Sequence, residues 1–226
     1  MGLSSWSADL IFALPDQTLE ELEADLDDLL ETHPPHVSLY GLTVEPGTPF
    51  AERVRRGKLA LPAGDLWGEM YARIVSRLGD AGLERYEVSN FALPGHRAVH
   101  NEQVWRGGYY AGLGPGAHGF LPSGDRTLGH AQLEAWYGDP VPSRESPTAE
   151  EAALDMLLST LRHVDGVSLE ALQAKTGHTL NPDTVRDLSA RHLIDSRARH
   201  LRLTPAAYPV ADGVVRRMAD ALIPAT

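Results

Sequence analysis

The chain has 226 residues, a formal net charge of -11, 42% hydrophobic residues and no cysteine. That length fits one large domain or two small ones, and the missing thiols exclude disulfides, cysteine nucleophiles and Cys-ligated zinc or iron–sulfur centres. The acidic balance disfavours nucleic acid and anionic membranes as partners, and no apolar run approaches the roughly 20 residues that span a bilayer. The opening Met1-Gly2-Leu3-Ser4-Ser5-Trp6 has neither a basic region nor a long apolar stretch, so no signal peptide is read there and a cytoplasmic protein is expected. The charge is uneven: from Gly166 onward eight basic residues stand against six acidic, whereas the preceding 165 residues carry 12 against 25, which points to two parts.

Residues 9–15 read as a buried strand ended by proline. Thr18 and Glu21 form a capping box, and Leu19, Leu22, Leu26, Leu29 and Leu30 repeat at helical spacing until Pro34-Pro35 forbids continuation. Residues 36–43 read as a second buried strand, so this segment is a βαβ unit with parallel strands. His33 and His36 flank the prolines and are expected in solvent. A loop follows with a basic cluster, Arg53, Arg55, Arg56 and Lys58, read as a solvated turn. Asp65 is expected to cap the next helix, with Leu66, Met70, Ile74 and Leu78 inside and Gly82 at its stop. Residues 84–91 read as a third strand.

Residues 92–147 are rich in Gly, Pro and aromatics with little periodicity, which predicts a long loop that is either functional or poorly ordered. Thr148 and Glu151 make another capping box before a helix with Leu154, Leu157, Leu158 and Leu161 on one face. Short helices are predicted over 168–176 and 182–192, a hairpin over 193–203, and a final helix capped by Thr204-Pro205. This order suggests a winged-helix-like module.

Several residues carry possible chemistry. Asp9 lies in an apolar strand, where a charge is costly unless it is paired, exposed at a strand end or in contact with a ligand. Gly112-Leu-Gly114-Pro-Gly116 is not Gly-x-Gly-x-x-Gly, and Pro115 removes an amide donor, so close backbone approach to a flat ligand or to the barrel is preferred over phosphate binding. His96 and His100 stand four apart, followed by Asn101 and Trp105. They read either as a metal or heme iron site or as a loop hydrogen-bonded to the core. No Gly-x-Ser-x-Gly supports a serine hydrolase. Arg186, Arg191, Arg197, Arg199 and Arg202 are interrupted by Asp183, Asp187 and Asp195, so packing is preferred over DNA contact for the C-terminal module.

Taken together, five ordered segments resemble the oxygen-independent coproporphyrinogen III oxidases and their relatives, a radical S-adenosylmethionine (SAM) family. They are Asp9 to Thr18, Ser38 to Pro49, Tyr86 to His96, His100 to Trp105, and Gly112 to His118. The His-Asn-x-x-Tyr-Trp element is similar to that of the heme chaperone branch, with Val104 here in place of its Tyr. The resemblance implies an α/β fold: the C-terminal part of a partial (β/α)6 radical SAM barrel over 1–143, and a smaller helical winged-helix-like module over 148–226. It implies SAM contact by Asp9, Thr43 and His118, and a heme loop carrying His96, His100, Asn101 and Trp105. The family's Cys-x3-Cys-x2-Cys loop, which holds a [4Fe-4S] cluster, has no counterpart here, and Ala13 and Asp16 replace two glycines usual in the Asp-Leu-Ile loop.

The expected function is heme biosynthesis or heme delivery, nearer the chaperone branch. Heme or porphyrin, a heme-acceptor protein and a chain supplying the missing N-terminal half-barrel are the expected partners. This chain alone is expected to be inactive in radical chemistry. The rival expectation is a non-enzymatic, degenerate-barrel binding or regulatory protein.

Overall fold

The structure is a computed structural model describing residues 3–197 and 199–225. Backbone contacts divide the chain into two compact units, Met1–Ala98 and Val99–Thr226.

In the first unit, β1 (Ser7–Phe12), α1 (Leu19–Glu31) and β2 (His36–Gly41) form the expected βαβ unit. The strands pair in parallel, from Ser7 opposite His36 to Phe12 opposite Gly41. Thr18 caps α1 by accepting from the Glu21 N–H, while the Glu21 carboxylate accepts from the Thr18 N–H. A second helix, α2 (Pro49–Arg55), starts at a Thr48 cap, and Glu52 there holds both Arg55 and Arg56. The next, α3 (Gly64–Asp80), is capped at Ala63 without a side-chain bond. Asp65 therefore does not cap it; it sits in the first turn, where a negative charge favours the exposed N–H groups.

The predicted third strand over 84–91 is a hairpin instead: β3 (Glu84–Arg85) and β4 (Asn90–Ala92). The sheet order is β1-β2-β4-β3, and β4 runs antiparallel to both neighbours, so the parallel run ends at β2. The reversal is stabilised locally. The Tyr86 N–H donates to the Asn90 carbonyl at 3.1 Å, and the Glu87 carboxylate accepts from the Ser89 N–H at 2.6 Å and the Asn90 amide at 2.5 Å.

The sheet has two unlike faces, because successive strand side chains alternate. Toward the helices, Phe12 lies 5.2 Å from the Trp67 ring, and a Cβ on Gly41 would come within 2.7 Å of Trp67 Nε1. Leu22 and Leu26 of α1 and Met70, Ile74 and Leu78 of α3 are fully buried. Arg77 of α3 ties these helices together by bonding Glu23 and Asp27 of α1. The opposite face carries Ser7, Asp9 and Ile11 beside His36, Ser38 and Tyr40.

The second unit starts with α4 (Val99–Trp105). The stretch expected as a long loop then holds a small antiparallel sheet, β5 (His118–Phe120), β6 (Arg126–Leu128) and β7 (Ser143–Glu145), with α5 (Leu133–Gly138) before β7. Strands this short leave no readable periodicity. Next come α6 (Ala149–Thr160), β8 (Val167–Ser168), α7 (Leu169–Thr176), β9 (His178–Leu180) and α8 (Pro182–Ala190). The predicted hairpin is β10 (Ile194–Arg197) and β11 (His200–Leu203), with β8 pairing to β11.

The final helix begins as a 3-10 helix, Pro205–Val210, because Pro209 supplies no N–H. It continues as α9 (Ala211–Ala219), and β12 (Leu222–Pro224) pairs with β9. Ala153 and Leu157 line the inner side of α6 and Leu161, at its C-cap, is buried with them, whereas Leu158, expected inside, is exposed. Leu172, Leu201 and Met218 share the same fully buried class. The whole is a mixed α/β fold. Among the described residues, no helix is long and apolar enough to cross a membrane.

Candidate functional site

Asp9 is the third residue of β1 and faces Ser38 across the parallel pair. Its side chain is exposed, so the desolvation cost expected of a buried charge does not arise. Among the described residues it makes no hydrogen bond or ion pair. Its neighbours are tightly bonded: His36 Nδ1 lies 2.7 Å from Ser7 Oγ, and His36 Nε2 lies 2.8 Å from Tyr86 Oη.

His36 was expected in solvent, yet it is 3% exposed, while His33 is exposed as read. Burial pushes the His36 pKa down, against a smaller upward pull from the Asp9 charge. Neutral imidazole therefore prevails, matching a ring held between two hydroxyls. Alternation places His36 on the polar face with Ser7, Asp9, Ser38 and Tyr40, and its burial comes from Ser7 and Tyr86, distant in sequence. Thr43 lies two residues beyond β2, exposed, with its hydroxyl 3.5 Å from the Gly41 carbonyl oxygen. It stands at the C-terminal end of the parallel pair, where open parallel sheets place ligands.

His118 belongs to the second unit. It opens β5, is exposed, and faces Leu128 of β6. The glycines around it allow close approach within the chain's own hairpin. A Cβ on Gly112 would lie 2.4 Å from the His118 carbonyl oxygen, and one on Gly119 would lie 2.5 Å from Thr127 Oγ1. Gly114 and Gly116 adopt φ of 103° and 68°, which disfavours side chains.

The His96–Trp105 segment is a turn followed by a helix rather than one loop. The His96 N–H donates to the Leu93 carbonyl around Pro94-Gly95, and the ring Nδ1 lies 3.3 Å from Ser5 Oγ. His100, Asn101 and Trp105 are on α4 in the second unit. His96 precedes that helix, so the spacing of four does not put both imidazoles on one helical face. The His100 side chain is exposed and meets the Tyr110 ring edge-on at 6.2 Å. One face of Trp105 is occupied by the Arg162 guanidinium, 5.0 Å from the ring centroid.

Among the described residues, no group of three or more His, Asp or Glu side chains is placed to hold a metal ion. With cysteine absent as well, the chain's residues do not fit a [4Fe-4S] cluster. The C-terminal arginines are largely engaged: Arg186 bonds Asp183, Arg191 lies 3.1 Å from Asp187, and Arg202 lies 2.8 Å from Asp195.

Residues 148–210 match the HemN C-terminal domain. The chain is 34% identical over 213 residues to the heme chaperone HemW of Bacillus subtilis (strain 168), covering 90% of this chain and 56% of that protein. It is 33% identical over 222 residues to the heme chaperone HemW of Mycobacterium tuberculosis (strain ATCC 25618 / H37Rv), covering 96% of this chain and 56% of that protein. Its fold matches that of coproporphyrinogen III oxidase (HemN) from Escherichia coli, described as a radical SAM enzyme, with a TM-score of 0.74 at 16% identity over 96% of this chain and 55% of that one. The class is thus a mixed α/β protein with a HemN-like C-terminal region. Residues 148–210 thus match the HemN C-terminal domain, the chain is similar to the heme chaperones named HemW, and it spans a little over half the length of these relatives.

Proposed function

We propose that this chain is the C-terminal part of a heme chaperone related to the radical SAM enzymes, acting in heme delivery in the cytoplasm. The observation that carries this reading is identity of 33–34% to proteins named heme chaperone across 90% or more of the chain. In this reading residues 1–143 form the last part of a partial (β/α)6 barrel, and residues 148–226 form the winged-helix-like module. The sheet supports the barrel reading. Helices cover one face, while the other is open, with Asp9, Ile11 and Tyr40 exposed on it and Thr43 at the strand ends.

Asp9, Thr43 and His118 would contact SAM, a sulfonium compound whose carbon–sulfur bond breaks on one-electron reduction. Asp9 suits its ammonium group, since an exposed carboxylate with no described partner is free to accept from it. The chain's residues do not fit a cluster, so no electron-transfer step is assigned to them.

Heme is the cargo. His100, exposed on α4, would offer its imidazole to the iron, with Asn101 and Trp105 of the same helix as candidate contacts, and His96 of the first unit is a further candidate ligand. Partners would be a heme-acceptor protein and a segment or chain that supplies the cysteine-bearing half of the barrel. A cluster-free binding or regulatory protein is the second reading, favoured by the absence of cysteine. An in-frame Cys-x3-Cys-x2-Cys in the DNA immediately upstream would decide against it.

The test is hemin titration of the chain and of the double variant His96→Ala/His100→Ala. The wild-type chain should shift the Soret band, and the double variant should lose that shift. An unchanged shift in the variant would end the heme assignment.

A further inference from the structure

The second unit contains a polar cleft of about 470 Å³, lined by Val164, Asp165, Asp195, Arg197, His200 and Arg202. Four of these six come from one face of a two-stranded hairpin. Asp195 of β10 faces Arg202 of β11, and Arg197 faces His200, so all four side chains project to one side. The other side carries Ile194, Leu201 and Leu203, which are buried. The core thus fixes the hairpin, and the polar face is held open above it.

The charges on that face do not cancel. The Asp195 carboxylate serves two guanidiniums: Arg202 Nη2 at 2.8 Å and Arg197 Nε at 3.3 Å. The Asp165 carboxylate is bonded by Arg106 at 2.8 Å, from outside the lining. Arg106 also bonds Glu102 at 3.1 Å, so charges around the cleft balance overall, and the hairpin face alone holds one acid for two arginines. Donors are in surplus on that face. Arg197 uses only its Nε in this contact, and its side chain is 80% exposed, so its terminal N–H groups point to solvent. A guanidinium presents a planar fork of donors that matches a carboxylate or a phosphate.

We propose that this cleft binds a small oxyanion, a carboxylate or phosphate group, between the Arg197 and Arg202 guanidiniums. The volume lies within the range of small-molecule sites, so the occupant is a small organic anion with its charged group at the arginines. Val164 offers its carbon skeleton an apolar contact. Asp195 pre-aligns both guanidiniums and competes with the ligand for them. The site lies wholly within the second unit and does not depend on the heme reading.

The test is an NMR titration of the full chain at constant ionic strength, with acetate in one arm, inorganic phosphate in another, and chloride as control. The Arg197 and Arg202 Nε–H signals should shift saturably with at least one probe, and the arm that saturates identifies the oxyanion. Arg197→Gln should abolish the saturable shift without changing the melting temperature, because that side chain is mostly in solvent. Asp195→Asn removes the competing carboxylate and should tighten binding about threefold or more. No saturable shift with either oxyanion, or an unchanged shift in Arg197→Gln, would overturn the site. So would weaker binding in Asp195→Asn with the hairpin amides unmoved. Where those amides do move, the Arg197→Gln result alone decides.

Discussion

Ala13 and Asp16 sit in the left-handed backbone region, with φ of 60° and 59°. The related family places glycine at both positions, and the backbone explains that choice. For a residue with a Cβ, this region costs roughly 1–2 kcal/mol. Aspartate tolerates it better than alanine, because its short side chain bonds locally. Ala13 is also 3% exposed, so only a methyl group would be lost on replacement. Ala13→Gly should therefore stabilise the chain slightly, by at most about 0.5 kcal/mol, the strain relieved less the added freedom of an unfolded glycine and the lost burial of one methyl. A urea melt measures this directly, and a lowered midpoint would refute the strain argument. The two replacements were visible in the sequence, but the backbone angles that give them meaning were not. His36 failed differently. Its neighbours Pro34 and Pro35 pointed to a loop, whereas its burial comes from Ser7 and Tyr86, 29 and 50 positions away.

At the scale of elements, legibility followed the range of the interactions. Both capping boxes, at Thr18 and Thr148, were read correctly because each is complete within four residues. The β5-β6-β7 sheet was not read, because its strands have three residues each and are fixed by distant contacts. Asp125 supplies the central contact. It is 8% exposed and accepts from Ser146 Oγ at 2.6 Å, Ser123 Oγ at 2.8 Å and Arg144 Nε at 2.5 Å.

The Ser146 hydroxyl foremost, then Ser123 and Arg144, hold the Asp125 pKa down to about 2. An unfolded aspartate titrates near 4, so the unfolded chain takes up this proton first as pH falls. The stabilisation is complete above about pH 4 and is lost as pH falls toward about 2. Amide protection factors at Arg126–Leu128 and Ser143–Glu145, taken relative to the intrinsic exchange rate at each pH, should therefore fall across that window. In Asp125→Asn, protection should already be lower at pH 6 and should change less between pH 4 and 2. Equal pH dependence in the two proteins would remove Asp125 from this role.

For the whole molecule, the decisive fact is the donor set. In the radical SAM enzymes that the sequence resembles, reductive cleavage of SAM uses an iron–sulfur cluster held by three thiolates, and the chain has no cysteine. Imidazole replaces thiolate in some clusters, but His96 is held in a turn beside Ser5, and His100 lies on a helix in the other unit. No described trio of titratable side chains compensates. The sheet also ends at β1, whose outer edge pairs with no described strand, and Ile11 on its open face is 50% exposed. An unpaired strand edge beside an exposed apolar residue favours association with another strand. The chain should therefore retain its fold and the exposed residues of its open sheet face yet fail at the chemistry. Purified anaerobically, reconstituted with iron and sulfide, and given dithionite and SAM, it should form no 5′-deoxyadenosine above a control without protein. Product above that control would show that this donor set can hold a working cluster, and the assignment of radical chemistry to a cysteine-bearing segment would fall.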